Sequence, residues 1–93
     1  MKTIENIEKE LITQLRFSKN EVLDSAEAIK KREFDLNRAL ALGNLLKNKV
    51  DITFQDAEQR TYRVHTTIWA VGSDFVCLKA DICIPIKSIV EIE

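Results

Sequence analysis

From Val50 to Glu93 apolar and polar positions alternate with the period of a β-strand, and short polar turns interrupt them at regular intervals. Val50, Ile52 and Phe54 form the first run, and Tyr62, Val64, Thr66, Ile68 and Ala70 form a longer second one. Phe75 to Leu78, Ile82 to Ile86 and Ile89 to Ile92 complete the segment. Bounded this way, the runs predict a small antiparallel β unit. Upstream the period becomes helical. Ile4, Ile7, Leu11 and Leu15 fall three and four apart on one stripe, which predicts a helix over about 3–16. Ser18 and Glu21 have the spacing of a capping box, and Phe17 and Val22 occupy its staple positions. A second helix is therefore expected over 19–42, with Gly43-Asn44 as a left-handed stop. Val22, Ala26, Ile29, Leu36 and Leu40 mark its apolar stripe, and Phe34 lies off it.

These elements make the chain α+β and a single domain over 1–93. A helical hairpin (about 3–16 and 19–42, within 1–46) packs on a five-stranded, bent antiparallel sheet or small open barrel over 50–93. Turn lengths set a register. Three-residue turns at 72–74 and 79–81 place Val71 opposite Phe75, Ala70 opposite Val76 and Ile68 opposite Leu78. They also place Leu78 opposite Ile82 and Cys77 opposite Cys83. A loop over 55–59 sets Ile52 against Tyr62 and Val50 against Val64. The inner face then holds Val50, Ile52, Phe54, Tyr62, Val64, Ile68, Ala70, Val76, Leu78, Ile82 and Ile84. The outer face holds Trp69, Val71, Phe75, Cys77, Cys83 and Pro85. So apolar an exterior needs a cover, and the helical stripe is the nearest one. A rod over 19–42, roughly 36 Å long at 1.5 Å per residue, overhangs a small barrel, so part of it meets the first helix, a second copy or water. Asn44 to Lys49 is the candidate hinge.

Charge narrows the partners. The 93 residues carry a net −1, divided as ten Lys/Arg against eight Asp/Glu over 1–49 and four against seven over 50–93, so +2 and −3. The strand-rich half is the acidic half, the wrong sign for a polyanion surface. The start lacks the apolar core of a secretory signal, and the longest apolar run, Ile82 to Ile86, is too short for a bilayer. A cytoplasmic protein without membrane attachment is expected. Two cysteines and one histidine make neither a disulfide framework nor a zinc motif, and two glycines leave no phosphate loop. No metal or cofactor is expected.

Few residues suggest chemistry. Lys30, Lys31, Arg32 and Arg38, extended by Lys47 and Lys49, could form a phosphate-binding stripe on the second helix. Glu27 and Asp35 stand at pairing distance from Lys31 and Arg38, as on a solvated helix face. His65 sits mid-strand without metal or catalytic partners at useful spacing. It reads as a structural cross-strand residue, with a hydrolase-type site around it as the residual alternative. Cys77 and Cys83, facing each other, read as buried thiols in a reducing compartment rather than a redox pair. Trp69 could stack a base, but no Lys or Arg alternates with it, and packing or a subunit contact fits better.

The C-terminal half resembles a Sm-like or Src-homology-like small β-barrel. Val50-Asp51-Ile52-Thr53-Phe54, the long strand Thr61 to Ala70, and Phe75 to Lys79 carry the likeness. Ile84-Pro85-Ile86-Lys87-Ser88-Ile89 resembles the short 3₁₀ link before such a barrel's last strand. Sm-like proteins form rings that bind RNA. Here the second strand has no glycine and the loops carry Asp56, Glu58, Asp74 and Asp81, so no RNA-binding residue of that family carries over and the resemblance implies fold alone.

The resulting expectation is a non-enzymatic interaction or scaffold module. It self-associates, as a dimer in the simplest case, or meets an unknown protein partner, through its long helix or an apolar sheet face. Trp69, Phe75 and Phe34 are the contact residues. The alternative is a small RNA- or DNA-binding protein using Lys30, Lys31, Arg32 and Arg38 beside the barrel.

Overall fold

The stretch for which a first helix is predicted is strand and turn. In the computed structural model, which describes residues 3–46 and 48–93 (backbone alone at 44–46), β1 (Ile4–Asn6) is followed by a 3₁₀ turn over Lys9–Gln14. β1 pairs in parallel with β3 (Thr61–Thr66), Ile4 opposite Thr61, and the Ile7 N–H donates to the Arg63 carbonyl at 3.0 Å. The open edge of β3 supplies backbone partners to Ile4–Asn6, and that tertiary pairing overrides the helical spacing of Ile4, Ile7, Leu11 and Leu15. The side chain that segment buries is Ile12, which the predicted stripe omits.

A single helix, α1 (Ala26–Leu46), takes the place of the expected hairpin. Its start is at Ser25, whose hydroxyl accepts from the Ala28 N–H at 3.1 Å while its carbonyl accepts from the Ile29 N–H at 3.2 Å. No capping box forms at Ser18. Its hydroxyl accepts from the Asn20 N–H, and Glu21 binds Arg32 instead of reaching back. Gly43 is no stop, because α1 runs past it and no glycine has positive φ. A Cβ at Gly43 would stand 2.8 Å from the Ile68 carbonyl oxygen, so glycine is there for close approach of helix to strand. Of the expected hinge at 44–49, α1 occupies 44–46 and Lys47 lies outside the described residues.

The strand region divides into more than five strands. β2 (Val50–Gln55) lies between β3 and β7 (Ile89–Ile92), giving a mixed sheet of order β1-β3-β2-β7. β4 (Ile68–Val71), β5 (Phe75–Leu78) and β6 (Ile82–Pro85) form a separate antiparallel sheet. The long strand expected over 61–70 breaks at Thr67, where the chain passes from one sheet to the other. A 3₁₀ turn over Ile86–Ser88 links β6 to β7, and the sheets do not close into a barrel.

The core lies between the two sheets and is sealed by α1. Ile52, Phe54, Val64, Ile68, Val76, Leu78, Ile84 and Ile89 are buried with Leu36 and Ala39 of the helix. Phe54 packs against Tyr62 and Phe17, with ring centroids 5.8 and 5.9 Å apart. The register departs from expectation in two places. Ile52 faces Val64 and Phe54 faces Tyr62, a shift of two residues that leaves the faces unchanged. In the second sheet a bulge between Ile68 and Ala70 sets Val71 against Val76 and Ala70 against Cys77, so Ala70 moves to the exterior and Val71 turns inward. The pairings of Ile68 with Leu78, Leu78 with Ile82 and Cys77 with Cys83 are as expected.

Candidate functional site

Among the described residues no element covers the exterior of β4-β5-β6. Buried Ile68, Val76, Leu78, Ile82 and Ile84 define the inner face, leaving Trp69, Ala70, Phe75, Cys77, Cys83 and Pro85 outside. Trp69 is 55% exposed and Phe75 52%. The expected helical lid is absent because α1 has gone to the inner side, contacting β4 and β7 and filling the gap between the sheets. Trp69 and Phe75 stand at opposite ends of the face, with the Cys77–Cys83 row between them. Phe34, 66% exposed, is on the helix two residues from buried Leu36 and belongs to another surface.

Cys77 and Cys83 are joined as a disulfide across the β5–β6 hairpin, with Cα atoms 4.1 Å apart. This corrects the reading of them as buried free thiols. Direct opposition in an antiparallel pair brings the sulfurs together, and Cys83 is exposed.

Of the basic helix residues, Arg32 is not at the surface. It is 5% exposed, donates through both terminal nitrogens to Glu21 and also donates to the Ile89 carbonyl at 2.9 Å. The guanidinium holds the Glu21 carboxyl below the usual range for a glutamate. Lys31 pairs with Asp35 at 2.7 Å, whose carboxylate holds the ammonium above its usual range. Lys30 and Arg38 are exposed. With Arg32 withdrawn and Lys31 paired on its own helix, the four do not make one cationic surface, and Lys47 lies outside the described residues.

A different cationic site forms around Trp69. Lys9 from the first 3₁₀ turn, Lys49 before β2, His65 on β3 and Lys79 after β5 line a groove of about 540 Å³ with Trp69, Thr66, Thr67 and Gly43. Among the described residues no carboxylate lines it. Its sources are far apart in the sequence, which is why alternation within one strand shows no cation beside Trp69. Lys9 also pairs with Glu10 at 2.7 Å, whereas Lys49 and Lys79 enter no ion pair among the described residues. His65 Nδ1 lies 2.8 Å from the Asp51 carboxylate, its cross-strand partner. Lys9, Lys49 and His65 also border an adjoining groove, where Glu5, Glu8, Asp51 and Arg63 appear.

No family model, curated protein or solved structure matches the chain. Among the described residues no group of three or more His, Cys, Asp or Glu side chains is placed to hold a metal ion. No helix among them is long and apolar enough to cross a membrane.

Proposed function

We propose that the chain is a non-enzymatic interaction module that self-associates through the exterior of β4-β5-β6. The observation that carries this reading is that Trp69 and Phe75 are each more than half exposed on one continuous sheet face. Between them lie Ala70 and the Cys77–Cys83 bridge, with Pro85 beside Phe75, so ionisable side chains stand only at the ends of the face, Lys79 by Trp69 and Asp74 by Phe75. An apolar centre without ionisable side chains meets its own copy across a two-fold axis without like-charge repulsion there, which makes a second copy the natural occupant. The likeness to small Sm-like barrels belongs to the same reading. The chain's bend at Thr67 and the 3₁₀ link over Ile86–Ser88 support it.

Light scattering coupled to size exclusion tests the proposal. A dimer is expected for the native chain, and Phe75→Asp, which sets a carboxylate within the apolar contact, is expected to give a folded monomer. A native chain that runs as a monomer at high micromolar concentration removes the proposal.

A further inference from the structure

We infer that the groove beside Trp69 is a binding site for a compact polyphosphate bearing a planar base, a nucleoside di- or triphosphate in chemical class. Lys9, Lys49 and Lys79, from three separate segments, line with His65 a space of about 540 Å³ that no carboxylate lines among the described residues. Lys9 is paired with Glu10, but Lys49 and Lys79 enter no ion pair among the described residues, and an anion shared by the three lysines relieves their mutual repulsion. The half-exposed Trp69 indole in the same lining offers a stacking plane for a base, a contact worth about 1–3 kcal/mol in other aromatic platforms. The size falls within the range of about 300–1,000 Å³ typical of small-ligand sites.

A single nucleotide fits these observations better than a nucleic-acid strand. Lys9, Lys49 and His65 also line the adjoining depression, where Glu5, Glu8 and Asp51 stand with Arg63. A running phosphate backbone would meet those carboxylates, but a ligand with its charge gathered at one end does not. The inference does not rest on self-association, since a monomer carries the same groove.

Trp69 is the only tryptophan in the chain, so its emission reports on this groove and on any contact made over the same sheet face. Titration with ATP, excited at the red edge of the indole band where adenine does not absorb, is expected to change the emission saturably. Raised salt is expected to weaken the effect. Lys49→Glu combined with Lys79→Glu is expected to lower affinity about tenfold or more, whereas Lys30→Glu leaves it unchanged. Equilibrium dialysis gives a readout independent of emission. Trp69→Ala should weaken ATP binding while inorganic triphosphate binding persists. The titration is repeated in the Phe75→Asp background, so that loss of a dimer and loss of the site are told apart. The inference is overturned by millimolar ATP that leaves both emission and dialysis unmoved, or by binding indifferent to the double lysine variant. Binding of single-stranded oligonucleotides without binding of ATP overturns it equally.

Discussion

Arg32 is buried against the β7 backbone with both terminal nitrogens on the Glu21 carboxylate, so the loop before α1 is fastened to the far sheet through one guanidinium. The same carboxylate accepts from the Leu23 N–H at 3.1 Å, which fixes the loop's own backbone. Removing the charge of Glu21 leaves the Arg32 cation buried without a counter-ion. Glu21→Gln is expected to destabilise the fold by about 2–3 kcal/mol, below the 3–5 of a fully buried pair because Glu21 keeps some access to water. Replacing both residues with apolar ones, Glu21→Leu with Arg32→Met, is expected to cost less than Glu21→Gln alone. Urea unfolding of the three chains measures this. A double variant less stable than the single one contradicts the account.

The same pair sets an acid dependence. The folded Glu21 carboxyl is held below its ordinary value by the Arg32 guanidinium, so the folded state favours its ionised form. A depressed folded pKa gives stability that is fully present above the unfolded value of about 4.3. That stability is lost as pH falls through the folded value. The stability gap between native chain and Glu21→Gln should therefore be constant near neutrality and shrink on acidification below that point. Comparing the two chains cancels the other carboxylates, including Glu10, which Lys9 also lowers. A gap that stays constant through the acid range rules out the linkage.

Gly43 sets helix propensity against packing. Alanine in a helix interior is favoured over glycine by about 1 kcal/mol. At Gly43, however, the added carbon would meet the Ile68 carbonyl oxygen at 2.8 Å and Thr67 Cγ2 at 3.2 Å, and the first of these is backbone that cannot swing away. Separating α1 from β4 opens the seam filled by Leu36 and Ala39, and overpacking of this kind costs about 1–3 kcal/mol. Gly43→Ala is expected to lower the thermal midpoint. A rise would mean that helix and strand have room to part.

Which features were legible in the sequence follows from how local each one is. The strand faces could be read because burial repeats every second residue and survives a two-residue register error, as Ile52, Phe54, Tyr62 and Val64 show. The turn at Lys79-Ala80-Asp81 could be read for the same reason. The N-terminal segment could not, because the edge of β3 that captures Ile4 to Asn6 is some 55 residues away in the chain. Nor could the end of the capping box at Ser18, since only the fold brings Arg32 to Glu21. The groove around Trp69 is the extreme case, because Lys9, Lys49 and Lys79 share no local pattern at all.

The β5–β6 turn contains a removable strain. Ala80 has φ 70° and ψ 25°, and Asp81 follows at φ 60°, both in the left-handed region. That conformation costs an alanine about 1–2 kcal/mol, and aspartate tolerates it better. Glycine avoids the clash but enlarges the unfolded ensemble by about 0.4–1 kcal/mol. Ala80→Gly is thus expected to stabilise the chain by about 0.5–1 kcal/mol in urea unfolding, with the fold unchanged. Destabilisation by the substitution would show that Ala80 does not hold this conformation in solution.

The Cys77–Cys83 bridge closes a short ring, with a sequence separation of 6 across strands already paired from Phe75–Pro85 to Leu78–Ile82. A loop this small removes little chain entropy, about 2 kcal/mol at most, and the hairpin turn has already taken part of it. Reduction is therefore expected to leave a folded protein only modestly less stable than the oxidised one. Because Cys83 is exposed, small thiols should reach the bridge without prior unfolding. Thiol titration of the native chain checks this: no reactive thiol before reduction, two after, and circular dichroism unchanged between the states. Two free thiols in the air-oxidised native protein would show that the sulfurs lie side by side without bonding.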